Sequence, residues 1–397
     1  MVSIQGKSLL GLQGVPKEEI ELILRVAKKM KAVVNSGNKK LSLLKGKSVV
    51  NMFWEPSTRT RGSFEMAAKY LGADVINFTP RGSSIQKGES FRDTLLTVTA
   101  MGVDAIVMRQ KQEGSPWFAD RCVDPIIINA GDGAHEHPTQ GLLDMFTIKE
   151  VKGHIDGLKV VIVGDIDHGR VARSNIYGLK TMGADVHLVG PRTLLQPELE
   201  AMGVKVHYDL KEAIQDADVI NVLRIQKERQ GIGFFPSAGE YNSLFGINRD
   251  RLKWAKDDVL VLHPGPMNRG IEIEPDTCYS EFSSIQEQVK NGVSVRMAVL
   301  YLTIMGAMTL TLLVKGGRVV NPAMQQDEIC DILIENGKIK EVGANLSADG
   351  AEVFDASGLV VAPGFIDMHV HLRQPGQSGK ETIETGRKPL LPAALPV

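Results

Sequence analysis

The feature that most constrains the fold is an alternation of short apolar strands with amphipathic helices, which occurs in two successive runs. In the first run the pattern predicts helices at 18–34, 58–71, 90–101 and 138–151, and strands at 47–53, 74–78, 104–108 and 125–129. In the second run it predicts strands at 159–163, 185–189, 204–208, 219–222 and 259–262, and helices at 170–182 and 282–305. Strands that alternate with helices at this spacing form βαβ units and parallel sheets. We therefore predict an α/β protein with two doubly wound parallel-sheet domains.

The C-terminal part of the chain has a different texture. Residues 309–370 are short apolar segments separated by turn residues, and Asn336-Gly337 stands between the apolar residues 332–334 and Ile339. An Asn-Gly pair in that position is a strong signal for a β-hairpin. We therefore expect a small C-terminal β segment. The last residues, 387–397, contain three prolines and no periodic pattern, and we expect them to be disordered.

These patterns divide the chain into four parts. The first sheet domain is predicted at 1–150 and takes back the closing helix at 282–306, and the second is predicted at 151–281. The polar segment 149–157 is expected to form a hinge between them. The β segment covers 309–386 and the tail 387–397. At roughly 100–200 residues per domain, a chain of 397 residues has room for this division.

Charge and cysteine content exclude several classes of protein. Lys and Arg number 46 against 47 Asp and Glu, so the net charge of −1 argues against nucleic-acid binding or a polybasic membrane binder. Three distant cysteines without a C-x-x-C pair favour a reducing compartment. The N-terminus lacks a signal-peptide pattern, and the longest apolar run, 299–314, is too short and too interrupted to span a membrane. We expect a soluble, cytoplasmic protein.

The segment 57–61 is a candidate phosphate site. It reads Ser57-Thr58-Arg59-Thr60-Arg61 and lies directly between a predicted strand and a predicted helix. Hydroxyls, free backbone N–H groups and guanidinium forks at a helix N-terminus are the donors that a phosphate dianion needs. The alternative is an ordinary capping segment with solvated arginines, which the two arginines and three hydroxyls make less favourable.

A second candidate group is the loop that enters the helix at Pro138. His137 and Gln140 lie there, after Gly131-Asp132-Gly133. The spacing is not H-E-x-x-H and no third ligand lies nearby, so a metal site is not predicted. A neutral histidine that offers an N–H to a carbonyl oxygen fits better. Histidines in a surface loop are the alternative.

Single basic residues lie near the ends of several predicted strands or open a helix: Lys87, Arg109, Arg170 and Arg224. Ligands bind at the carboxyl ends of the strands in open α/β sheets. Any one of these side chains is more often a solvated charge. Together, in an almost neutral chain, they indicate a cleft for an anionic small molecule.

Residues 5–306 resemble the catalytic chains of aspartate carbamoyltransferases. The motifs that carry the resemblance are 53–61 (FWEPSTRTR), 87–89 (KGE), 131–133 (GDG), 137–140 (HPTQ), 164–165 (GD) before 169–170 (GR), 224–229 (RIQKER) and 263–266 (HPGP). The resemblance implies transfer of the carbamoyl group of carbamoyl phosphate to L-aspartate, which gives N-carbamoyl-L-aspartate and phosphate in de novo pyrimidine synthesis. It implies no metal, no cofactor and no covalent intermediate.

The resemblance also implies a role for each matching residue. The phosphate is expected on Ser57, Thr58, Arg59, Thr60 and Arg109. The carbonyl oxygen is expected on Arg59, Thr60 and His137, and the carbamoyl amide on Gln140 and the backbone around Gly265 and Pro266. The carboxylates of aspartate are expected on Lys87, Arg170, Arg224 and Gln226. The residues expected to act in catalysis are Arg59, Thr60, His137 and Lys87.

Assembly and regulation follow from the same resemblance. Ser83 and Lys87 match a loop that enters the active site of a neighbouring subunit in the family, which implies a homotrimer with shared sites. Asp167 stands where many relatives carry a basic residue, so the resemblance does not imply the family's loop closure or aspartate affinity for this chain. The loop 230–242 differs from relatives that have separate regulatory chains, so feedback control is not carried over either.

The C-terminal segment resembles the start of dihydroorotase, an amidohydrolase. Its strongest match is 364–373 (GFIDMHVHLR), in which His369 and His371 correspond to zinc ligands and Arg373 to a substrate-binding residue. The barrel that carries the other ligands has no counterpart here, and 387–397 matches nothing in that family. We therefore predict a carbamoyltransferase fused to a truncated, inactive dihydroorotase segment with a vestigial histidine pair.

Two other functions compete with this prediction. Ornithine carbamoyltransferase shares the 57–61 pattern but carries a cysteine in a His-Cys-Leu-Pro segment, where this chain reads His263-Pro264-Gly265-Pro266. Arg224 and Lys87 also suit a dicarboxylate better than a cationic diamino acid. A non-catalytic scaffold that associates with dihydroorotase is the second alternative, and it is expected to have lost members of the arginine and histidine set.

Overall fold

The computed structural model describes residues 2–37, 39–78, 88–225, 237–306, 311–335, 338–347 and 351–364. Its contacts separate two compact units, Met1–Ala307 and Met308–Val397. The predicted residues Ser83, Lys87, Gln226, His369, His371 and Arg373 lie outside the described residues, as does the predicted disordered tail. Among the described helices, none combines the length and apolar character needed to cross a membrane.

The first sheet is parallel and has the strand order β2-β1-β3-β4. Its strands are β1 (Ser48–Phe53), β2 (Asp74–Phe78), β3 (Ala105–Gln110) and β4 (Ile126–Asp132). The helices of this part are α1 (Lys17–Asn35), α2 (Thr58–Tyr70), α3 (Phe91–Thr99), α4 (Ser115–Asp120) and α5 (Pro138–Lys152). Apart from the short α4, every one of these elements lies where the periodicity predicts it.

The second sheet is also parallel, with the order β7-β6-β5-β8-β9. Its strands are β5 (Lys159–Val163), β6 (Asp185–Val189), β7 (Lys205–His207), β8 (Val219–Val222) and β9 (Leu260–Leu262). The helices are α6 (Arg170–Thr181), α7 (Leu210–Ile214), α8 (Ala238–Phe245), α9 (Arg249–Leu252), α10 (Pro275–Cys278) and α11 (Ile285–Met305), with a 3₁₀ turn at Pro197–Met202. The two parallel sheets confirm the predicted α/β class.

Two helix boundaries differ from the prediction by one and three residues, each for a local reason. Helix α5 continues to Lys152 and ends at Gly153, whose φ of 80° is left-handed, so the connection between the sheets is shorter than the predicted hinge. Helix α11 begins at Ile285 and not at residue 282, because the preceding backbone pairs with β9. Val261 N donates to Phe282 O (2.8 Å) and Ser284 N to Val261 O (3.1 Å).

Helix α11 packs against α1, α2 and α5 of the first sheet domain. Most of its length is buried, from Val295 to Ile304 without a break. The chain therefore returns to the first sheet domain after the second sheet is complete, and α11 also contacts β9 of the second sheet.

The second unit is a small β structure. Its strands are β10 (Thr311–Asn321), β11 (Gln326–Glu335), β12 (Lys338–Gly343), β13 (Glu352–Asp355) and β14 (Val360–Val361). The antiparallel pairing of β11 with β12, with Glu335 opposite Lys338, confirms the predicted hairpin, whose turn residues 336–337 are outside the described residues. The apolar core of this unit consists of Val314, Val319, Cys330, Ile332, Ile334 and Ala356.

Candidate active site

Six predicted groups lie at or just after the carboxyl ends of strands from the two parallel sheets. In the first sheet, Ser57 follows β1, Arg109 lies in β3 and His137 follows β4. In the second, Arg170 opens α6 after β5, and Arg224 and Gly265 follow β8 and β9. Because parallel strands place their carboxyl ends at one edge, each sheet gathers its set of side chains at a single edge.

The N-terminus of α2 has the form of an anion site. Ser57 is the N-cap residue with extended φ of −157°, and its hydroxyl makes no cap hydrogen bond to the helix. The matched N-cap Ser90 of α3 does accept a hydrogen bond from Asp93 N, at 3.1 Å. The first-turn N–H groups of α2 and the Ser57 hydroxyl are thus open to a ligand, beside the buried hydroxyl of Thr60.

One carboxylate joins the two sheet domains at the site. Glu55 Oε2 accepts hydrogen bonds from Arg109 Nε at 3.2 Å and from Arg170 Nη2 at 2.7 Å. The three side chains are only 13%, 15% and 6% exposed, respectively. Glu55 is part of the sequence motif, but the sequence alone gave it no role.

Arg170 also lies against the backbone of the first domain. Gly131 has a φ of 119°, and a Cβ atom there would be 3.0 Å from the Arg170 guanidinium. The glycine therefore serves both the backbone conformation and the close approach of the arginine. This is the physical reason for the first glycine of the 131–133 motif.

His137 is a buried, neutral imidazole. Its backbone N–H donates to Ser174 Oγ at 2.9 Å, while its ring Nδ1 has no hydrogen-bond partner among the described residues. Burial, and then the positive charges of Arg109, Arg296 and Arg170, hold the pKa of His137 well below its usual value. A pKa this far lowered keeps the imidazole neutral near pH 7, which is the form expected from the sequence.

Gln140 is held by a buried carboxylate one turn further along α5. Its Nε2 donates to Asp144 Oδ1 at 2.9 Å. Asp144 is fully buried, and burial raises its pKa to about 6. Asp144 has no predicted role, although its spacing from Gln140 puts the two side chains on one face of the helix.

The loop after β9 comes to the N-terminus of α2. A Cβ atom at Gly265, where φ is 60°, would overlap the Arg59 guanidinium. Gly265 N donates to His263 Nδ1 at 2.7 Å, and His263 Nε2 lies 3.2 Å from Glu272 Oε1. Since Nδ1 accepts, the Nε2–H donates to Glu272, which fixes the tautomer of a buried histidine whose pKa is lowered by burial.

Positive charge dominates the site. Desolvation and the nearby charge of Arg224 lower the pKa of Arg59. Arg296 of α11 is 4% exposed, burial lowers its pKa to about 10, and its Nη1 donates to Ser63 Oγ at 2.7 Å. Closely spaced cations in a partly buried site create a strong field for anions. Of these arginines, only Arg296 was not predicted from the sequence.

Metal binding has no support in this part of the chain. Among the described residues, no three or more His, Cys, Asp or Glu side chains are arranged to hold a metal ion. The arrangement instead offers arginines, hydroxyls, helix N–H groups and a neutral imidazole. These donors suit a small ligand with several negatively charged oxygens and a polarisable carbonyl.

Two family models match the chain. The aspartate/ornithine carbamoyltransferase carbamoyl-P binding domain matches residues 7–150, and the Asp/Orn binding domain of the same family matches 156–303. Together they cover about three quarters of the 397 residues. The chain therefore belongs to the aspartate/ornithine carbamoyltransferase family.

Curated relatives show which group within this family the chain resembles. The aspartate carbamoyltransferase catalytic subunit of Moorella thermoacetica is 58% identical over 77% of this chain and 99% of its own length. The corresponding subunit of Heliobacterium modesticaldum is 56% identical over 76% and 97%. Within its family, the chain groups with the aspartate carbamoyltransferase catalytic subunits and is a transferase. It is longer than these relatives, and its C-terminal β unit lies beyond the matched residues.

Solved structures agree. Aspartate transcarbamoylase from Trypanosoma cruzi in complex with carbamoyl aspartate and phosphate superposes with a TM-score of 0.69 at 31% identity, over 76% of this chain and 97% of that one. Ornithine carbamoyltransferase from Pyrococcus furiosus superposes with a TM-score of 0.68 at 32% identity, over 77% and 99%. The two activities share the fold, so the curated relatives decide between them.

Proposed function

We propose that the site described above transfers the carbamoyl group of carbamoyl phosphate to L-aspartate, as a step of pyrimidine synthesis. The aspartate nitrogen attacks the carbamoyl carbon, and a C–N bond forms. The C–O bond to phosphate breaks, and phosphate leaves with the electron pair and a proton from the nitrogen. The observation that carries the proposal is the meeting of an α2 anion site, a neutral buried His137 and the Arg109–Glu55–Arg170 bridge.

The phosphate binds, in this proposal, to the N-terminus of α2 and to Arg109. Ser57, Thr58 and Thr60 supply hydroxyls, and Arg59 and Arg109 supply guanidinium groups. The Ser57 hydroxyl makes no cap hydrogen bond to α2, and this and the field of the arginines support this placement. The same groups stabilise the leaving phosphate, so a general base and a covalent intermediate are not needed.

The carbonyl oxygen binds to Arg59, Thr60 and His137. Negative charge builds on this oxygen as the amine attacks. A neutral imidazole can donate its N–H there without already carrying a charge. Each preorganised donor of this kind contributes on the order of 10²–10³ in rate. The low pKa of His137, which keeps its ring neutral, supports this role.

Aspartate binds through its two carboxylates. Arg170 and Arg224 are the described residues for this role, with Lys87 and Gln226 as further predicted ligands. Arg170 is 5% exposed and already bonded to Glu55, so it is ordered before substrate arrives. A dicarboxylate fits these cations, whereas the side-chain ammonium of ornithine would face them. The Trypanosoma cruzi aspartate enzyme has been solved with carbamoyl phosphate and aspartate bound, which supports these substrates.

The minimal active unit, in this proposal, is a homotrimer that shares its sites through Ser83 and Lys87. Mixing Lys87→Ala chains with Arg59→Ala chains tests it, because hybrid trimers contain some sites with neither substitution. Activity should return in the mixture and stay absent in each parent. No recovery after verified subunit exchange would refute shared sites.

The C-terminal unit is, in this proposal, a dihydroorotase-like segment without hydrolase activity. Ile329, Val353 and Val360 are 75%, 58% and 63% exposed, so these apolar side chains have no covering layer among the described residues. Association of the chain with a separate dihydroorotase is a further proposed partnership. Hydrolysis of dihydroorotate by the full chain with added zinc would contradict the inactive assignment.

The transfer reaction is tested with aspartate and ornithine side by side. Carbamoyl product should form with aspartate and not with ornithine. Arg59→Ala should lower kcat by at least about a hundredfold, because it removes a charged donor aimed at the developing oxyanion. Arg249→Ala, which removes an exposed arginine paired with Glu281, is the matched control and should retain full activity. Wild-type turnover by Arg59→Ala would overturn the assignment of that residue.

A further inference from the structure

We propose that Asp144 is a positioning residue that sets both halves of the binding site for the carbamoyl NH₂ group. One half is Gln140, and the other is the backbone at Gly265 and Pro266. The proposal rests on the carbamoyl transfer proposed above and adds to it the residue that gives the site its preference for an amide.

Both oxygens of the Asp144 carboxylate accept two hydrogen bonds each. Asp144 Oδ1 accepts from Gln140 Nε2 at 2.9 Å and from Gln288 Nε2 at 2.7 Å. Its Oδ2 accepts from Asn175 Nδ2 at 2.8 Å and from Asn221 Nδ2 at 3.3 Å. An ionised carboxylate has about four acceptor positions and no donor. All four partners are neutral amides, so each of them must turn its NH₂ group towards Asp144.

This contact fixes the direction of the Gln140 amide. Because Nε2 is bound to Asp144, the Oε1 of the same planar group is left for a different donor. No described residue is hydrogen-bonded to that oxygen. An amide whose NH₂ and oxygen could exchange places would offer a donor in half of its orientations. Asp144 removes that ambiguity and leaves an acceptor for the substrate N–H.

The second branch passes through α11. Gln288 gives its Nε2 to Asp144, so its Oε1 faces the other way and accepts His263 N at 2.9 Å. His263 Nδ1 in turn accepts Gly265 N at 2.7 Å. The backbone at Gly265 and Pro266 is therefore tied, through two side chains, to the same carboxylate oxygen that holds Gln140.

The chemical consequence is selectivity for an NH₂ group. The carbamoyl amide carries two N–H donors, and the network presents an amide oxygen and backbone carbonyls to receive them. A substrate with a methyl group in that place leaves buried acceptors unpaired, which sites of this kind reject strongly. Acetyl phosphate is such a substrate, since it differs from carbamoyl phosphate only by CH₃ for NH₂.

Replacing Asp144 by asparagine should reduce this selectivity. The new Nδ2–H₂ would face two of the four amide NH₂ groups, so at least one of those amides must turn round. When Gln140 turns, it presents NH₂ to the substrate NH₂, and the preference for carbamoyl over acetyl phosphate is lost. If Asp144 acts only on the fold, through Asn175 and Asn221, the substitution should instead lower kcat/KM equally for both substrates.

The experiment compares kcat/KM for carbamoyl phosphate and acetyl phosphate in the full chain, at saturating aspartate. Asp144→Asn should lower the carbamoyl-to-acetyl ratio by at least about tenfold, with the acetyl value changed by less than about threefold. Where acetyl transfer is slow, the inhibition constant of acetyl phosphate against carbamoyl phosphate gives the same comparison. Thr147→Val is the matched control: Thr147 is a buried residue of α5 bonded to Leu143 O and Asn291, and the ratio should not change.

Gln288→Met provides the second test. It breaks only the branch to His263 and leaves Asp144 and Gln140 in place, so the ratio should fall by a smaller factor. If Asp144→Asn does not fold, the carbamoyl-to-acetyl ratio of Gln288→Met decides whether the Asp144 network sets the selectivity. An unchanged ratio in the folded variants would overturn the role of Asp144 and leave the carbamoyl transfer standing. A wild-type chain that carbamoylates no aspartate would overturn the proposed function itself.

Discussion

Replacing Glu55 by glutamine tests whether one carboxylate orients the arginines of both substrates. Glu55 Oε2 accepts from Arg109 Nε at 3.2 Å and from Arg170 Nη2 at 2.7 Å, and all three side chains are largely buried. Glutamine has the same length and one remaining acceptor oxygen. The substitution therefore removes the negative charge while it keeps the packing.

The expected magnitude follows from the two hydrogen bonds. A hydrogen bond to a charged group contributes about 1.5–3 kcal/mol, and a neutral one about 0.5–1.5 kcal/mol. Each bond loses about 1–1.5 kcal/mol, and the two weaken together, so the loss is about 2–3 kcal/mol. The mutual repulsion of two guanidinium groups acts in the same direction. At about 1.4 kcal/mol per factor of ten, these two bonds alone should lower kcat/KM for aspartate by roughly 30- to 150-fold.

The assay is steady-state carbamoyl transfer with aspartate varied at saturating carbamoyl phosphate, together with thermal unfolding of the same samples. Glu281→Gln is the matched control, because Glu281 pairs with Arg249 at 3.0 Å on the surface and is 64% exposed. That variant should retain kcat/KM within about twofold, as exposed ion pairs contribute little. A Glu55→Gln enzyme with kcat/KM within about threefold of wild type would refute the argument.

Three further predictions follow from burial and from the matched lengths of the relatives. The pKa of His137 is held well below its usual value of about 6.5, so its NMR titration should show a neutral ring at pH 6. Since the unfolded chain takes up this proton below about pH 6.5 and the folded chain does not, His137→Asn should make stability less sensitive to acid. Asp144 has its pKa raised to about 6, so the folded state keeps a proton between about pH 4 and 6 that the unfolded state has lost. Its ionisation therefore destabilises the fold as pH rises through that window, and denaturant unfolding of Asp144→Asn should show a smaller fall there. A chain ending at Gly306 should keep full transferase activity, because the Moorella thermoacetica relative is matched over 99% of its length without the β unit. Loss of activity on this truncation would contradict it.

The strands were predictable because of how parallel sheets are buried. The run Lys-Val-Val-Ile-Val is bounded by loop residues and folds as β5, Lys159–Val163, with the last four residues fully buried. Continuous apolar runs of this length are typical of strands covered on both faces. The helices α4, α7, α9 and α10, of four to six residues, were missed because they are too short to show a period of 3.6.

Site residues, too, were predictable only where the residues that act together are close in sequence. The α2 segment was predictable because its chemistry lies in five consecutive residues. The roles of Glu55 and Asp144 were not, because their partners come from elsewhere in the chain. Arg170 is 115 residues from Glu55, and Gln288 is 144 residues from Asp144. Only the bond from Asp144 to Gln140, four residues apart on one helix, has a signal in the sequence.

Orientation and charge make opposite predictions at this site. If net positive charge alone governed the binding of two anions, removing the carboxylate of Glu55 would strengthen binding, and the KM for aspartate would fall. If Glu55 holds Arg109 and Arg170 in place, the same change leaves two guanidinium groups that repel each other and lose their common partner. Binding should then weaken although the field becomes more positive. The direction of the change in KM therefore separates the two explanations, and the short contacts of Glu55 favour orientation.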